Sequence, residues 1–312
     1  MLKYAQYSLV ASVLLVFLSL FCYILVLALG RTSRRQPAQA RAKVGAGVGA
    51  RVGARSGVEM DGDGADFSEE VSTKRPRSLA LYGTWMTRLA LATLTASLIF
   101  RAIETGHGPF SNQYEFAVAF GWGMIAAYVY FEHRYHVRTI ALLILPITAA
   151  ILLYAMTVGD TAIPLVPALQ NNLLLTVHVV FAIISYGAFS VSFAASALYL
   201  IQPKGGRHGL PKPELLDEIS YRAVIIGFPL DTMMVILGAV WADVAWGTYW
   251  SWDPKETASL LTWLIYGAYL HARVARGWRG RRAAWLLMLG FAAVMFTFFG
   301  NLFFSGLHSY GK

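Results

Sequence analysis

A single cysteine, Cys22, stands in 312 residues. That scarcity excludes an internal disulfide and any CxxC redox pair, so thiol chemistry involving this protein belongs to a partner. Charge is scarce as well: Asp, Glu, Lys and Arg make up 14% of the chain, against about 25% in soluble globular domains. So thin a charge cover excludes an ordinary water-soluble fold. Acidic residues are the rarer sign, 17 against 26 Lys and Arg, for a net charge of +9. No acid–base dyad and no nucleophile beside a base stands out, so no covalent or proton-transfer chemistry is read from the chain. The stretch Gly45-Ala-Gly-Val-Gly49 lacks the strand and helix of a βαβ unit, which excludes a nucleotide-binding loop.

What the chain has in abundance is apolar surface. It is 57% hydrophobic with a mean hydropathy of +0.53, the composition of a polytopic membrane protein. Eight apolar runs lie near Ser8–Leu29, Leu79–Phe100, Tyr114–Phe131, Thr139–Thr157, Leu173–Ile201, Ala223–Ala242, Thr257–His271 and Ala283–Phe303. Each is about long enough to cross a hydrocarbon core of roughly 30 Å. A spanning segment must satisfy its backbone hydrogen bonds internally, so the expected fold is all-α with about eight transmembrane helices. The first run is long, lacks a small-residue cleavage site and is followed by arginines, so it is expected to be retained as a span.

Lys and Arg set the orientation. Segments 31–78, 131–138, 202–222 and 272–282 hold 10, 2, 4 and 5 of them, and the opposite side holds only Lys3, Arg101, Lys255 and Lys312. The positive-inside rule puts the basic segments in the cytoplasm and both termini outside it. The net charge arises from this bias and does not imply nucleic-acid binding. Three regions follow: a first transmembrane helix over 1–30, a basic cytoplasmic linker over 31–78, and a seven-helix core over 79–312. The linker, rich in Gly, Ala, Arg and acids, has too little apolar content to fold and is expected to be disordered. Pro211–Tyr221 is mildly amphipathic and is expected to lie along the membrane surface.

The richest stretch is Trp246–His271, in which an extracytoplasmic loop over 246–256 leads into an apolar helix. Trp246, Tyr249, Trp250 and Trp252 supply flat amphipathic rings beside Asp253, a platform suited to a large planar ligand with charged edges such as haem. Ring count alone also fits an aromatic belt at the membrane surface. A belt, however, has no reason to keep the order W-G-x-x-W-x-W-D-P-K-E.

That order resembles the tryptophan-rich WWD signature of the haem-handling proteins of cytochrome c biogenesis. The resemblance is to the CcsA/ResC type, the multi-spanning subunit of the System II cytochrome c synthase, and runs from about Leu79 to the C-terminus. Its other anchors are Arg101 followed by Gly106-His-Gly-Pro-Phe-Ser-Asn-x-Tyr-Glu115, His178 opening a helix, Gly227-Phe-Pro229, His271, and Gly306-Leu-His-Ser-Tyr310. The resemblance implies a protein that accepts haem b from the cytoplasmic side and presents it to apocytochrome c for attachment to CxxCH thiols. Its partners would be a CcsB/ResB-like membrane subunit, apocytochrome c and the bilayer. Its location would be the cell membrane, or the thylakoid membrane in a plastid or cyanobacterium. The rival readings are a System I protein of the CcmC or CcmF type and a small-solute transporter, though no internal repeat supports the latter.

Of seven histidines, His133, His136 and His208 fall in basic loops, and His107 sits in a turn where hydrogen bonding and ligation fit equally. His178 lies about 9 Å inside the outer end of the fifth span, at 1.5 Å per residue. His308 follows the eighth span on the same face. His271 lies about 22 Å down the seventh helix from Glu256, too far to share an iron with them. By resemblance, His178 and His308 match the outer axial ligands of haem iron. His271 matches an inner site whose second ligand comes from the CcsB/ResB-type subunit. Arg101 is expected to take a propionate, because a guanidinium matches a carboxylate with two hydrogen bonds. Asp253, Lys255 and Glu256 either orient the loop or contact the apocytochrome. Arg88 and Asp231, charged residues deep in two spans, are expected to pair with each other, with propionate binding by Arg88 as the sharper alternative.

Overall fold

A computed structural model describes residues 1–32, 74–159, 172–203, 210–304 and 306–307. Those residues form eight helices: α1 (Leu2–Thr32), α2 (Lys74–Thr105), α3 (Gln113–Tyr135), α4 (Ala141–Thr157), α5 (Asn172–Leu200), α6 (Pro213–Trp246), α7 (Pro254–Arg276) and α8 (Arg281–Phe303). They fall on the eight expected runs, and no strand occurs among the described residues. Most of the expected linker, residues 33–73, lies outside them.

Five helices, α1, α2, α5, α6 and α8, are long and apolar enough to span a membrane. The 17 residues of α4 cover about 25 Å, a little short of the roughly 30 Å core. The 23-residue helices α3 and α7 have the length but carry charged ends, Glu132 to Arg134 in one and Lys255, Glu256, Arg273 and Arg276 in the other.

One boundary departs from expectation. Pro211–Tyr221 does not lie as a separate surface segment, because residues from Pro213 onward are the opening turns of a 34-residue α6. Pro213 suits the first helical turn, where its missing N–H costs nothing. Asp217 then fixes that end by accepting from Arg273 of α7 at 2.9 and 2.7 Å and from the Gly280 amide at 3.2 Å. The Arg273 guanidinium also lies over the Tyr221 ring at 4.6 Å. One carboxylate thus ties α6, α7 and the turn into α8 at the basic end.

Helix contacts follow the logic of an apolar solvent, in which close approach and hydroxyl bonds take over from the hydrophobic effect. α1 and α2 are joined by Ser12 to Thr93 (2.7 Å), Ser19 to Thr87 (2.7 Å) and the Gly83 carbonyl (2.8 Å), and Ser97 to the Ala5 carbonyl (2.7 Å). α3 meets α5 at a pair of glycines: a Cβ on Gly187 would stand 2.3 Å from the Gly123 oxygen. α5 reaches α7 through Phe189, stacked on Tyr266 at 3.6 Å. On α7, Leu261 and Leu264 face outward, while Thr262, Tyr266 and Tyr269 are buried.

The expected pairing of Arg88 with Asp231 does not occur. Arg88 is half-exposed over the Trp85 ring at 5.4 Å on α2, whereas Asp231 is fully buried on α6. The two are apart because α2 packs on α1 and α3, whereas α6 packs chiefly on α5 and α7.

Replacing Arg273 by Ala should strand the half-buried Asp217 carboxylate. Loss of one partner of a buried pair costs on the order of 3 kcal/mol, so thermal unfolding of the purified protein in detergent should shift down by several degrees. Arg222→Ala, which removes the exposed pair with Glu218, should leave the midpoint unchanged.

Candidate functional site

The tryptophan-rich segment is built by two helix ends and a short strained link. α6 stops at Trp246 because Gly247 adopts φ +77° and returns its amide to the Asp243 carbonyl at 2.8 Å. α7 starts at Pro254, capped by Asp253 and Glu256 in reciprocal bonds. The Glu256 carboxylate also accepts from the Ser251 amide (2.9 Å) and hydroxyl (3.1 Å), and from the Asp253 amide (3.2 Å). The loop proper is therefore 247–253, narrower than the expected 246–256, because its first residue and its last three are helical.

Inside it, Trp252 takes a left-handed φ of +60°, a conformation that costs a non-glycine residue about 1–2 kcal/mol. The bonds to Glu256 offset that strain. The result leaves Tyr249 61% and Trp252 69% exposed, with the Trp250 and Trp252 rings perpendicular at 5.8 Å. Trp246 does not join them. It packs edge-on against Trp241 at 4.8 Å, and Trp241 in turn lies parallel to the His178 ring at 6.5 Å. Trp241 was not singled out in the sequence, where it reads as one more apolar residue of a span.

His178 is held by α6. Its Nδ1 lies 2.8 Å from the Met234 carbonyl. A carbonyl only accepts, so in the neutral ring Nδ1 carries the hydrogen and Nε2 the lone pair, the tautomer and orientation of a metal-ligating imidazole. Gly238 makes the contact possible, since a Cβ there would stand 2.8 Å from the ring's Cε1. Met234 and Gly238, one turn apart, are the positioning residues that sequence reading missed. Only the antiparallel pairing of α5 and α6 brings them to His178.

Asp253 does more than cap α7. Its Oδ1 accepts from the Lys255 amide at 3.0 Å and its Oδ2 from the Leu307 amide at 2.6 Å. A Cβ on Gly306 would collide with that oxygen at 2.1 Å, so only glycine lets the C-terminal segment come so close. The residue before His308 is thereby tied to the tryptophan loop; His308 itself lies outside the described residues.

Arg101 is 3% exposed near the end of α2, with its Nε donating to Glu115 at 2.8 Å and its guanidinium 5.2 Å from the Tyr114 ring centre. Glu115 also accepts from the Ser111 amide and hydroxyl, each at 2.8 Å. Gly108 packs against Thr176, two residues before His178. Lys255 lies over the Phe116 ring at 5.3 Å, so a second cation stands beside the start of α3. His107 Nδ1 lies 2.8 Å from the Gly108 carbonyl, the hydrogen-bonding arrangement. His133 and His136 are exposed at the basic end, and His271 is exposed on the outward face of α7. Among the described residues no three His, Cys, Asp or Glu side chains converge on a common point.

Residues 110–308 match the family described as Cytochrome C assembly protein. The chain is 39% identical over 267 residues to the cytochrome c biogenesis protein CcsA of Guillardia theta, covering 76% of this chain and 88% of that protein. It is 36% identical over 291 residues to the protein of the same name from Gloeobacter violaceus, covering 73% and 86%. A third CcsA, from Microcystis aeruginosa, is 36% identical over 291 residues, covering 74% and 88%.

The bond from the Leu307 amide to a charged acceptor is worth about 1.5–3 kcal/mol. Asp253→Ala should therefore speed amide exchange in the C-terminal peptide by about tenfold or more, and Gly306→Ala should do so with Asp253 intact. Tyr249→Ala should not. Exchange mass spectrometry reads all three, and unchanged exchange in Asp253→Ala would show that the contact holds nothing.

Proposed function

This chain belongs to the cytochrome c assembly protein family, and we propose that it binds haem b at the aromatic end of the bundle and presents it to apocytochrome c. Its place in System II cytochrome c biogenesis follows from the family and from relatives that carry the CcsA name. Here haem is the cargo. The observation that carries the reading is His178, with Nδ1 anchored on the Met234 carbonyl, in an outer aromatic cluster with Trp241 and Trp246.

In this reading His178 and His308 hold the iron from opposite sides. The tie from Asp253 to Leu307 supports bringing His308 to that end. Porphyrin already supplies four nitrogens, so one or two imidazoles suffice, and no denser cluster of protein ligands is required. Tyr249, Trp250 and Trp252 cover the macrocycle through ring contact and exclude water. Trp246 acts from behind, by bracing Trp241 beside the imidazole. Asp253 works mainly through the loop and the C-terminal segment, since both of its oxygens are already accepting. Arg101 meets a propionate, with Glu115 fixing its guanidinium. Attachment adds a cysteine S–H across a vinyl group of the haem, so every atom is retained. The cofactor supplies the reactivity, and the protein orients it and protects the iron.

His271 belongs to a second site about 22 Å deeper, at 1.5 Å per residue. Its exposure on the outer face of α7 supports a site completed by a CcsB/ResB-like subunit. The loops 106–112 and 247–253 have seven residues each, too small to cradle a cytochrome, since a standard interface buries about 800 Å² per partner. The basic ends of the helices face the cytoplasm and the tryptophan loop faces the opposite side, in the cell membrane or, in a plastid or cyanobacterium, the thylakoid.

Trp250→Ala with Trp252→Ala should lower haem recovered with the purified protein by about tenfold, if each ring contributes about 0.5–1.5 kcal/mol beyond its area, while membrane insertion persists. Undiminished haem would sink the platform.

For the ligands, His178→Gly and His308→Gly should each abolish cytochrome c assembly, and added imidazole should restore part of it by filling the cavity and binding iron. His271→Gly should deplete haem from the whole complex. Full assembly by the His178→Gly, His308→Gly double variant without imidazole would show those residues to be structural.

A further inference from the structure

Asp231 lies in the seam between α5 and α6 and answers to nothing in the haem chemistry above. It is 0% exposed, and neither carboxylate oxygen has a hydrogen-bond partner among the described residues. Tyr186 of α5 and Tyr266 of α7 stand within range of its charge. Tyr266 is also fully buried, and its hydroxyl has no hydrogen-bond partner among the described residues. Thr297 of α8 lies 3.4 Å from Thr262 of α7. Helices α5, α6 and α7 thus bring buried oxygens toward one another, and among the described residues no cation pairs with Asp231.

The basic side chains farther along these helices are engaged elsewhere. Arg273 lies two turns beyond Tyr266 and is paired with Asp217. His178 lies two turns before Tyr186 and faces Met234. An ionised carboxylate at this depth, without donor or cation, costs several kcal/mol, whereas the neutral acid costs far less and gains an O–H to donate.

The surrounding seam is tight at both ends. A Cβ on Gly227 would stand 2.7 Å from the Phe189 ring, and one on Gly238 would stand 2.8 Å from the His178 ring. Asp231 lies between these glycines, about one turn from the Met234 carbonyl that holds His178. A charge there must be hydrated, and the close contacts at Gly227 and Gly238 oppose that unless α5 and α6 part.

We propose that Asp231 is an intramembrane proton-binding site, a carboxylic acid that keeps its proton in the closed bundle and admits water to the α5–α6 seam on losing it. The site is separate from haem ligation and does not depend on it. Its proton state sets how tightly α5 and α6 close beneath His178.

The test uses the full chain in lipid nanodiscs, without haem. Infrared spectroscopy at neutral pH should show the carbonyl stretch of a protonated carboxylic acid, shifted in D2O and missing in Asp231→Asn. The wild type should lose thermal stability as the medium turns alkaline, because ionisation then charges the seam; Asp231→Asn should lose that dependence. If Asp231→Asn does not insert, Asp231→Glu should insert and carry the same band at a displaced frequency. Absence of the band in wild type, or its persistence in Asp231→Asn, overturns the proposal. So does a wild-type stability that depends on sodium against choline and ceases to do so in Asp231→Asn, since the ligand would then be a metal cation.

Discussion

In hydrocarbon there is no water to satisfy a stray donor or acceptor, and this one condition accounts for most of what the bundle does with its polar residues. Ser12, Ser19, Thr87, Thr93 and Ser97 are spent joining α1 to α2. Apolar side chains offer no net gain from contact with each other over contact with lipid, so proximity must come from small residues and hydroxyl bonds. Glycines therefore mark the places where helices touch: Gly123 on Gly187, Gly227 on Phe189 and Gly238 on His178. Asp217 and Arg273 meet the same condition near the basic end, where a bidentate pair can carry charge that neither residue could carry alone.

The aromatic end uses the opposite resource. Where the chain leaves the bundle, the backbone can be bent against its preference, provided that charged acceptors hold it. Glu256 and Asp253 do this together: one folds the turn that forces Trp252 into a left-handed conformation, and the other reaches across to the C-terminal segment. Two exposed aromatic side chains and an anchored C-terminal segment are thereby presented on a rigid base. In a sequence string the motif's acidic residues fit either orienting the loop or contacting a partner, and in the fold both carboxylates hold the loop backbone.

The outer cluster about His178 and the buried acid at Asp231 lie along one seam. α5 and α6 pair antiparallel, so the imidazole is oriented by a backbone carbonyl of the neighbouring helix. A carbonyl within a helix cannot swing as a side chain can, and the orientation of the ring is therefore only as firm as the packing of the two helices. An imidazole whose orientation is set by helix packing is sensitive to whatever alters that packing, including events farther down the seam.

How much of this was legible beforehand depended on the range of the signal. Composition and apolar run length determined the membrane class and the eight helices, because the demand for internal backbone bonding leaves a long apolar run no other structure. The order of residues from Trp246 to Glu256, together with the anchors from Arg101 to Glu115, at His178, Gly227–Pro229 and His271 and from Gly306 to Tyr310, pointed to the family, and with it to cytochrome c assembly. Boundaries were less legible. The opening turns of α6 read as a surface segment because their partner, Arg273, lies 56 positions away from Asp217. Trp246 read as a member of the platform because one-dimensional spacing does not reveal that a helix still holds it. Met234, Gly238 and Trp241 carried no signal at all. Their roles exist only because two antiparallel helices bring a carbonyl, a missing side chain and a ring to the same imidazole. Pairing across such sequence distance is set by the sum of packing over the whole bundle, which only the tertiary structure decides.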